Sequence, residues 1–254
     1  MDLSGKVALI TGGNRGIGAG CSLALAQAGA DIAFTYRRDE DSAKETAAAI
    51  EALGRKVMII QADVSSEEEA KAAAASVIEN IGKVDILIAN AGIASRGNTV
   101  RDTPTEEFRR LVDTHAFGAI WVSQAVIDSM REQGDGRIIF ISSVATKMHG
   151  ARSAPYTVAK VAMESVAKAL ALEEGPNGIR TNVIGPGLVE TQMGTRLSKA
   201  RGNDITELHK TFPFGRVCQP EDIANVAVFL CSQEGSYVNG QIIYVDGGGF
   251  TRSE

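Results

Sequence analysis

Val7-Ala8-Leu9-Ile10-Thr11-Gly12-Gly13-Asn14-Arg15-Gly16-Ile17-Gly18 runs from four aliphatic residues straight into a glycine-rich turn, and the chain beyond it is Ala-rich and helix-favouring. Gly12, Gly16 and Gly18 have GxxxGxG spacing. A strand that ends in such a turn and continues as a helix offers free N–H groups and the positive end of the helix dipole, a good place for a phosphate. Glycines also serve ordinary strand-to-helix turns. The strand before and the helix after supply the context in which this spacing points to dinucleotide binding.

The same rhythm continues outward. Short aliphatic runs at 7–11, 32–36, 57–61, 86–90, 137–142, 179–184 and 242–245 alternate with longer helical patterns at 18–28, 40–53, 66–81, 105–130, 154–174 and 220–231, the third-last of which Gly118 could break. Strands alternating with helices predict an α/β fold with a parallel sheet and helical crossovers, and seven such strands make a sheet buried on both faces. Ser66 ahead of Glu67, Glu68 and Glu69 reads as an N-cap, and Gly29, Gly54 and Gly82 stand where helices should end. No internal repeat or low-complexity linker is visible, so residues 1–254 are expected to form one domain. From 187 to 216 no strand is evident, and Gly194, Gly202, Pro213 and Gly215 lie among polar residues. That segment is expected to be an excursion of loop and short helix over the site.

Bulk properties narrow the function classes. With 44% hydrophobic and 22% charged residues the chain can bury a sizeable core. A net charge of −5 and a pI near 5.4 argue against nucleic acid or an anionic membrane as partner. Cys21, Cys218 and Cys231 form no CxxC pair and suit a reducing, cytoplasmic setting, while no apolar leader or spanning segment is read at the start. His115, His149 and His209 are too scattered for metal-ligand spacing, so no metal is expected.

The second strand indicates which dinucleotide. In this architecture an acidic residue at its end meets the ribose 2′-hydroxyl, and a basic one accepts a 2′-phosphate. Here Tyr36 is followed by Arg37 and Arg38, no carboxylate comes before Asp39, and Arg15 adds a third guanidinium. Guanidinium forks suit phosphate oxygens, so NADP(H) is expected in preference to NAD(H). Tyr156 and Lys160, four residues apart in the fifth helical stretch, share one helix face. Alone they could be a solvated surface pair. Close together they supply a phenol and a cation that stabilises its anion.

Taken together, these residues resemble the short-chain dehydrogenase/reductase family, from Lys6 to Gly249, and most closely its 3-oxoacyl-thioester reductase-like members. Thr11 to Gly18 is similar to the family's TGxxxGxG, Asp63-Val64 to its adenine-contacting pair, and Asn90-Ala91-Gly92 to its NAG stretch. Ser143, thirteen residues before Tyr156, stands at the place of the catalytic serine, and Tyr156 with Lys160 matches YxxxK. Pro186-Gly187 with Thr191 is similar to PGxxxT, and Val245-Asp246-Gly247-Gly248 to a VDGG ending.

The resemblance implies a Rossmann-type, doubly wound, seven-stranded parallel sheet with helices on both faces. It implies a cofactor held by Gly12, Asn14, Arg15, Gly16, Ile17, Gly18, Arg37, Arg38, Asp63, Val64, Asn90, Ala91, Gly92, Tyr156, Lys160, Pro186, Gly187, Val189 and Thr191. Hydride transfer between the nicotinamide and a small or medium ketone or secondary alcohol would follow, with Tyr156 as acid, Lys160 lowering its pKa, and Ser143 holding the carbonyl oxygen. One position departs: His115 stands where members with a four-residue catalytic set carry asparagine. A histidine there could relay protons or simply pack.

Members acting on acyl carrier protein often carry basic residues before the fifth strand and after the active-site helix. Those places here read Glu132-Gln133-Gly134-Asp135 and Gly175-Pro176-Asn177, so a free small ketone, alcohol or thioester is preferred and a carrier-bound 3-oxoacyl substrate is the alternative. A non-catalytic NADP(H)-binding regulator is the second alternative. The late helix and last strand suggest a two-fold interface and a homotetramer, with a dimer as fallback.

Overall fold

The computed structural model describes residues 1–200 and 202–248. Arg201, within the excursion, and Gly249, the end of the family resemblance, lie outside the described residues. In chain order the elements are β1 (Val7–Ile10), α1 (Gly16–Gln27), β2 (Asp31–Tyr36), α2 (Glu40–Ala52), β3 (Val57–Gln61), α3 (Glu67–Ile81), β4 (Ile86–Ala89), α4 (Thr105–Val112), a π-helical turn (Asp113–Phe117) and α5 (Gly118–Gln133). There follow β5 (Gly136–Ile141), α6 (Ala145–Met148), α7 (Ala154–Glu174), β6 (Ile179–Pro186), α8 (Gln192–Ala200), α9 (Ile205–Leu208), α10 (Pro220–Cys231) and β7 (Ile242–Val245).

The seven strands pair in parallel in the order β3-β2-β1-β4-β5-β6-β7. Alternation along each strand divides the core. Ala8, Ile10, Ile86 and Ile88 face α1 and α10, whereas Val7, Leu9, Leu87 and Ala89 face α3, α5 and α7. The chain order reverses between β1 and β4, which opens a crevice at the carboxyl ends of these strands, where ligands bind in open α/β sheets.

Helix ends follow the local chemistry. The Ser66 hydroxyl accepts from the Glu69 amide, and Gly82 closes α3 at φ 94°, a left-handed conformation that glycine adopts without strain. Several boundaries differ from the sequence reading. β6 continues to Pro186, and α1 starts at Gly16 rather than Gly18, which puts Gly16 and Ile17 inside its first turn. The expected break at Gly118 is instead a widened π turn just before it, and helix runs on to Gln133. Gly118 is needed there for closeness, since a Cβ would stand 2.8 Å from the Val64 carbonyl oxygen. The excursion after Gly187 contains α8 and α9, and α6 is a short helix that no hydrophobic period announced.

Candidate active site

The β1–α1 turn is held rigid from both sides. Asn90 Nδ2 donates to the carbonyls of Thr11 (3.0 Å) and Gly12 (3.1 Å), while Thr11 Oγ1 accepts from the amides of Asn90 and Ala91, both at 3.0 Å. From β2, Thr35 Oγ1 accepts the Gly12 amide at 3.0 Å. Ser22 Oγ donates to Gly13 and Gly18 carbonyls, and Thr46 Oγ1 to that of Asn14. The turn's carbonyls are thereby occupied. No side chain caps the N-terminus of α1, so its first amides are left for an anion.

The glycines are there for close approach. A Cβ on Gly18 would stand 2.1 Å from the Gly12 carbonyl oxygen, and Gly12 and Gly16 have φ of 64° and 55°. These residues fit a pyrophosphate lying across the turn. Ile17 packs on the first core cluster and Asn14 is buried.

Beside the turn lie the three arginines. Arg37 Nη1 is 3.6 Å from Asp63, and Arg15 Nη1 is 3.6 Å from Asp39 and donates to Gln192 Oε1 at 3.2 Å. Both ion pairs are largely exposed, worth about 0–1 kcal/mol, and readily exchanged for phosphate oxygens. Arg38 is exposed with no ion pair among the described residues. Asp39 also caps α2 through the Ser42 amide. Burial pushes the Asp63 carboxyl up, but hydrogen bonds from Ser65 and the Arg37 charge outweigh it and leave the group below its ordinary range.

The chemistry-bearing side chains converge where β4, β5 and α7 meet. Lys160 is 3% exposed. Its Nζ donates to the Ile141 carbonyl at 2.6 Å and lies 5.6 Å from the centroid of the Tyr156 ring. Burial lowers the Lys160 pKa from 10.5 to about 7, with Glu164 pulling the other way. Burial raises the Tyr156 phenol, while its hydrogen bond with Ser143 opposes the rise. Ser143 supplies a downward pull on Tyr156, and Lys160 lies against the ring and a backbone carbonyl. Ser143 Oγ also accepts the Ala145 amide at 3.1 Å, which starts α6.

His115 lies in the π turn, 2% exposed, with its ring edge-to-face on Tyr156 at 5.3 Å. Nε2 is 2.9 Å from the Ile93 carbonyl, and Nδ1 is buried without a hydrogen-bond partner among the described residues. Burial, then the Lys160 charge, hold its pKa well below the ordinary value, so the ring is neutral near pH 7. A Cβ on Gly92 would meet His115 Cε1 at 2.5 Å, which explains the glycine that ends Asn90-Ala91-Gly92.

The segment after β6 closes toward the turn. Pro186 O accepts the Val144 amide, Gly187 N donates to Val245 O, Val189 bridges to Cys218, and the Thr191 methyl lies 3.3 Å from where a Gly16 Cβ would be. Contacts thus tie the β1–α1 turn to β2, β4 and Thr191, and the β5–α7 corner to the π turn and the segment after β6. The Thr35 hydroxyl, the Ile93 backbone and the Ser142–Glu164 pair were not anticipated. Only the strand-ending position of Thr35, beside a glycine turn, could have signalled one of them.

A family model described as enoyl-(acyl carrier protein) reductase matches residues 12–250. A short-chain dehydrogenase/reductase of Armillaria gallica is 38% identical over 250 residues, covering 96% of this chain and 95% of that protein. The chain belongs to the short-chain dehydrogenase/reductase family. Two solved structures bear on the cofactor of this short-chain dehydrogenase/reductase. 7α-Hydroxysteroid dehydrogenase complexed with NADH and 7-oxo glycochenodeoxycholic acid is 34% identical with a TM-score of 0.90, over 98% of this chain and 95% of that one. A short-chain dehydrogenase from Burkholderia cenocepacia J2315 in complex with NADP is 32% identical with a TM-score of 0.88, over 98% and 100%. The family comprises oxidoreductases of alcohols and ketones that bind nicotinamide cofactors.

Proposed function

We propose that this protein is an NADP(H)-dependent oxidoreductase that moves hydride between the nicotinamide and a small or medium ketone or secondary alcohol. The observation that carries this reading is the convergence of Tyr156, Ser143 and Lys160 at the carboxyl end of β5. Ser143 holds the carbonyl oxygen and Tyr156 gives it a proton, a transfer of a kind typically worth about 10² to 10⁴-fold. Lys160, with a pKa of about 7, gives and takes protons readily at neutral pH. His115 serves as a neutral ring whose buried Nδ1, without a hydrogen-bond partner among the described residues, lies in the field of Lys160.

When bound, the cofactor supplies the hydride through its nicotinamide. The β1–α1 turn would hold its pyrophosphate, Asp63 and Val64 its adenine, and Asn90, Ala91, Gly92, Pro186, Gly187, Val189 and Thr191 its nicotinamide half. Preference for the 2′-phosphate rests on Arg38 together with Arg37 and Arg15, whose present carboxylate partners are weakly held. The whole chain acts as one domain, and residues 187–216 cover the substrate.

A carrier-bound thioester is the second reading, favoured by the description of the family model. Glu132 and Asp135 weigh against it, because an acidic carrier gains nothing from acidic residues. Association into a homotetramer through α10 and β7 is supported by the half-buried β7 residues and by Tyr237, which is 102% exposed. A cytoplasmic setting agrees with three free cysteines and with the absence, among the described residues, of any helix long and apolar enough to cross a membrane.

The test is a panel of ketones and 3-oxoacyl thioesters assayed with NADPH and NADH side by side. Turnover of free ketones with NADPH preferred is expected. Preference for NADH overturns the cofactor assignment, and tight NADPH binding without turnover anywhere on the panel favours a regulator.

A further inference from the structure

Hydride chemistry as proposed engages Ser143, Tyr156 and Lys160, and it leaves a buried carboxylate on the same helix face without a task. Glu164 is 8% exposed, one turn beyond Lys160 on α7. Its Oε1 accepts from Ser142 Oγ at 2.5 Å, and Ser142 is 3% exposed. We propose that Glu164 is a positioning residue of the active site: its carboxyl group, one helical turn from Lys160, acts on that amine and, through Ser142, holds Ser143 against Tyr156.

Three consecutive residues after and at the end of β5 are tied to three successive turns of α7. The Ile141 carbonyl accepts from Lys160, the Ser142 hydroxyl donates to Glu164, and Ser143 pairs with Tyr156. Ser142 is also fixed by its own amide, which donates to Ile184 of β6 at 2.7 Å. Glu164 is therefore the innermost rung of a clamp whose outermost rung is the proton-donating pair. A hydroxyl partner alone does not call for a charge at this depth, since burying a carboxylate is costly unless a cation shares the site.

The groups bearing on the charge of Lys160 come from three elements. Glu164 and Tyr156 lie on its own helix, His115 faces it from the π turn, and the end of β5 contributes the Ile141 carbonyl. Arg110 of α4 bears on His115. Glu164 is the carboxyl group among them, while His115 is neutral and Tyr156 protonated near pH 7.

The proposal rests on the reductase reading for what the clamp serves, so the test separates the two. The Lys160 side chain is titrated by NMR in the full chain with labelled lysine, its signal assigned by loss in Lys160→Met. Glu164→Gln keeps an acceptor for Ser142 but removes the charge, and the Lys160 midpoint is expected to fall by about one pH unit. The falling limb of ketone reduction with pH should move down by the same amount, because Lys160 then loses its proton earlier. Glu164→Asp and Ser142→Ala keep a carboxylate, so their midpoints should stay within about 0.3 unit of the parent while kcat falls.

A Glu164→Gln midpoint within about 0.2 unit of the parent overturns the proposal. So does a fall in Glu164→Asp or Ser142→Ala as large as in Glu164→Gln, and these two decide the matter should Glu164→Gln fail to fold. A parent inactive on every carbonyl would sink the reductase reading alone, since the titration still judges Glu164.

Discussion

At the β1–α1 turn nearly every tie is made by backbone or a short polar side chain: Thr11, Ser22, Thr35, Thr46 and Asn90 fill its hydrogen bonds, and the glycines keep its surface bare. At the β5–α7 corner the ties are made by long titratable groups taken out of water, and Lys160, His115 and Tyr156 all have displaced pKa values. The first region binds by shape, so its tolerance is steric. The second works by shared charge, so its tolerance is electrostatic, and it should respond to pH where the first does not.

The largest effect that would sharpen this contrast is at the corner. Tyr156→Phe should lower kcat by about 10² to 10⁴-fold with NADPH affinity retained, measured by steady-state kinetics and cofactor titration. Turnover within twofold of the parent would break it. Next comes the rim of the turn, where Arg37→Ala combined with Arg38→Ala should weaken NADPH binding by roughly 10 to 100-fold and leave NADH binding nearly unchanged, as read by fluorescence titration.

Within the turn itself, Gly18→Ala must push its new Cβ away from the Gly12 carbonyl, which stands 2.1 Å from the site. A stability loss of about 1–3 kcal/mol is expected in denaturant titration, with the same size at pH 6 and pH 9. Lys160→Met should behave oppositely. Between pH 7 and 10.5 the unfolded chain holds a lysine proton that the folded chain has released, so this group's contribution to stability rises with pH across that window. Thermal melts should show the variant gaining on the parent at pH 6, with the advantage shrinking toward pH 9.

The same contrast explains what could be read from sequence. Glycine spacing, the YxxxK pair and the aliphatic strands are local or periodic, and they located the sheet, the turn and the catalytic face. What stayed hidden depends on tertiary neighbours. Nothing near Glu164 in sequence reveals that Ser142 donates to it, and nothing around Arg15 or Arg37 reveals the carboxylates that face them. Gly118 offers a possible break, but the π turn at Asp113–Phe117 before it leaves no signal, because one extra residue per turn hardly alters an apolar period, and α6 is too short to have one. The YxxxK spacing puts Tyr156 and Lys160 on one helix face, but the hydrogen bond from Lys160 to the Ile141 carbonyl depends on tertiary packing that no local pattern carries.

The clamp between β5 and α7 also bears on how the molecule assembles. Its ties join residues 19 and 22 positions apart, whereas the lock between Thr11 and Asn90 spans 79. The chain entropy lost on closing the longer loop exceeds that of the shorter by about 1 kcal/mol. The proton-transfer corner can therefore form on a small, contiguous piece of chain, and the dinucleotide turn is completed only when two distant strands have met.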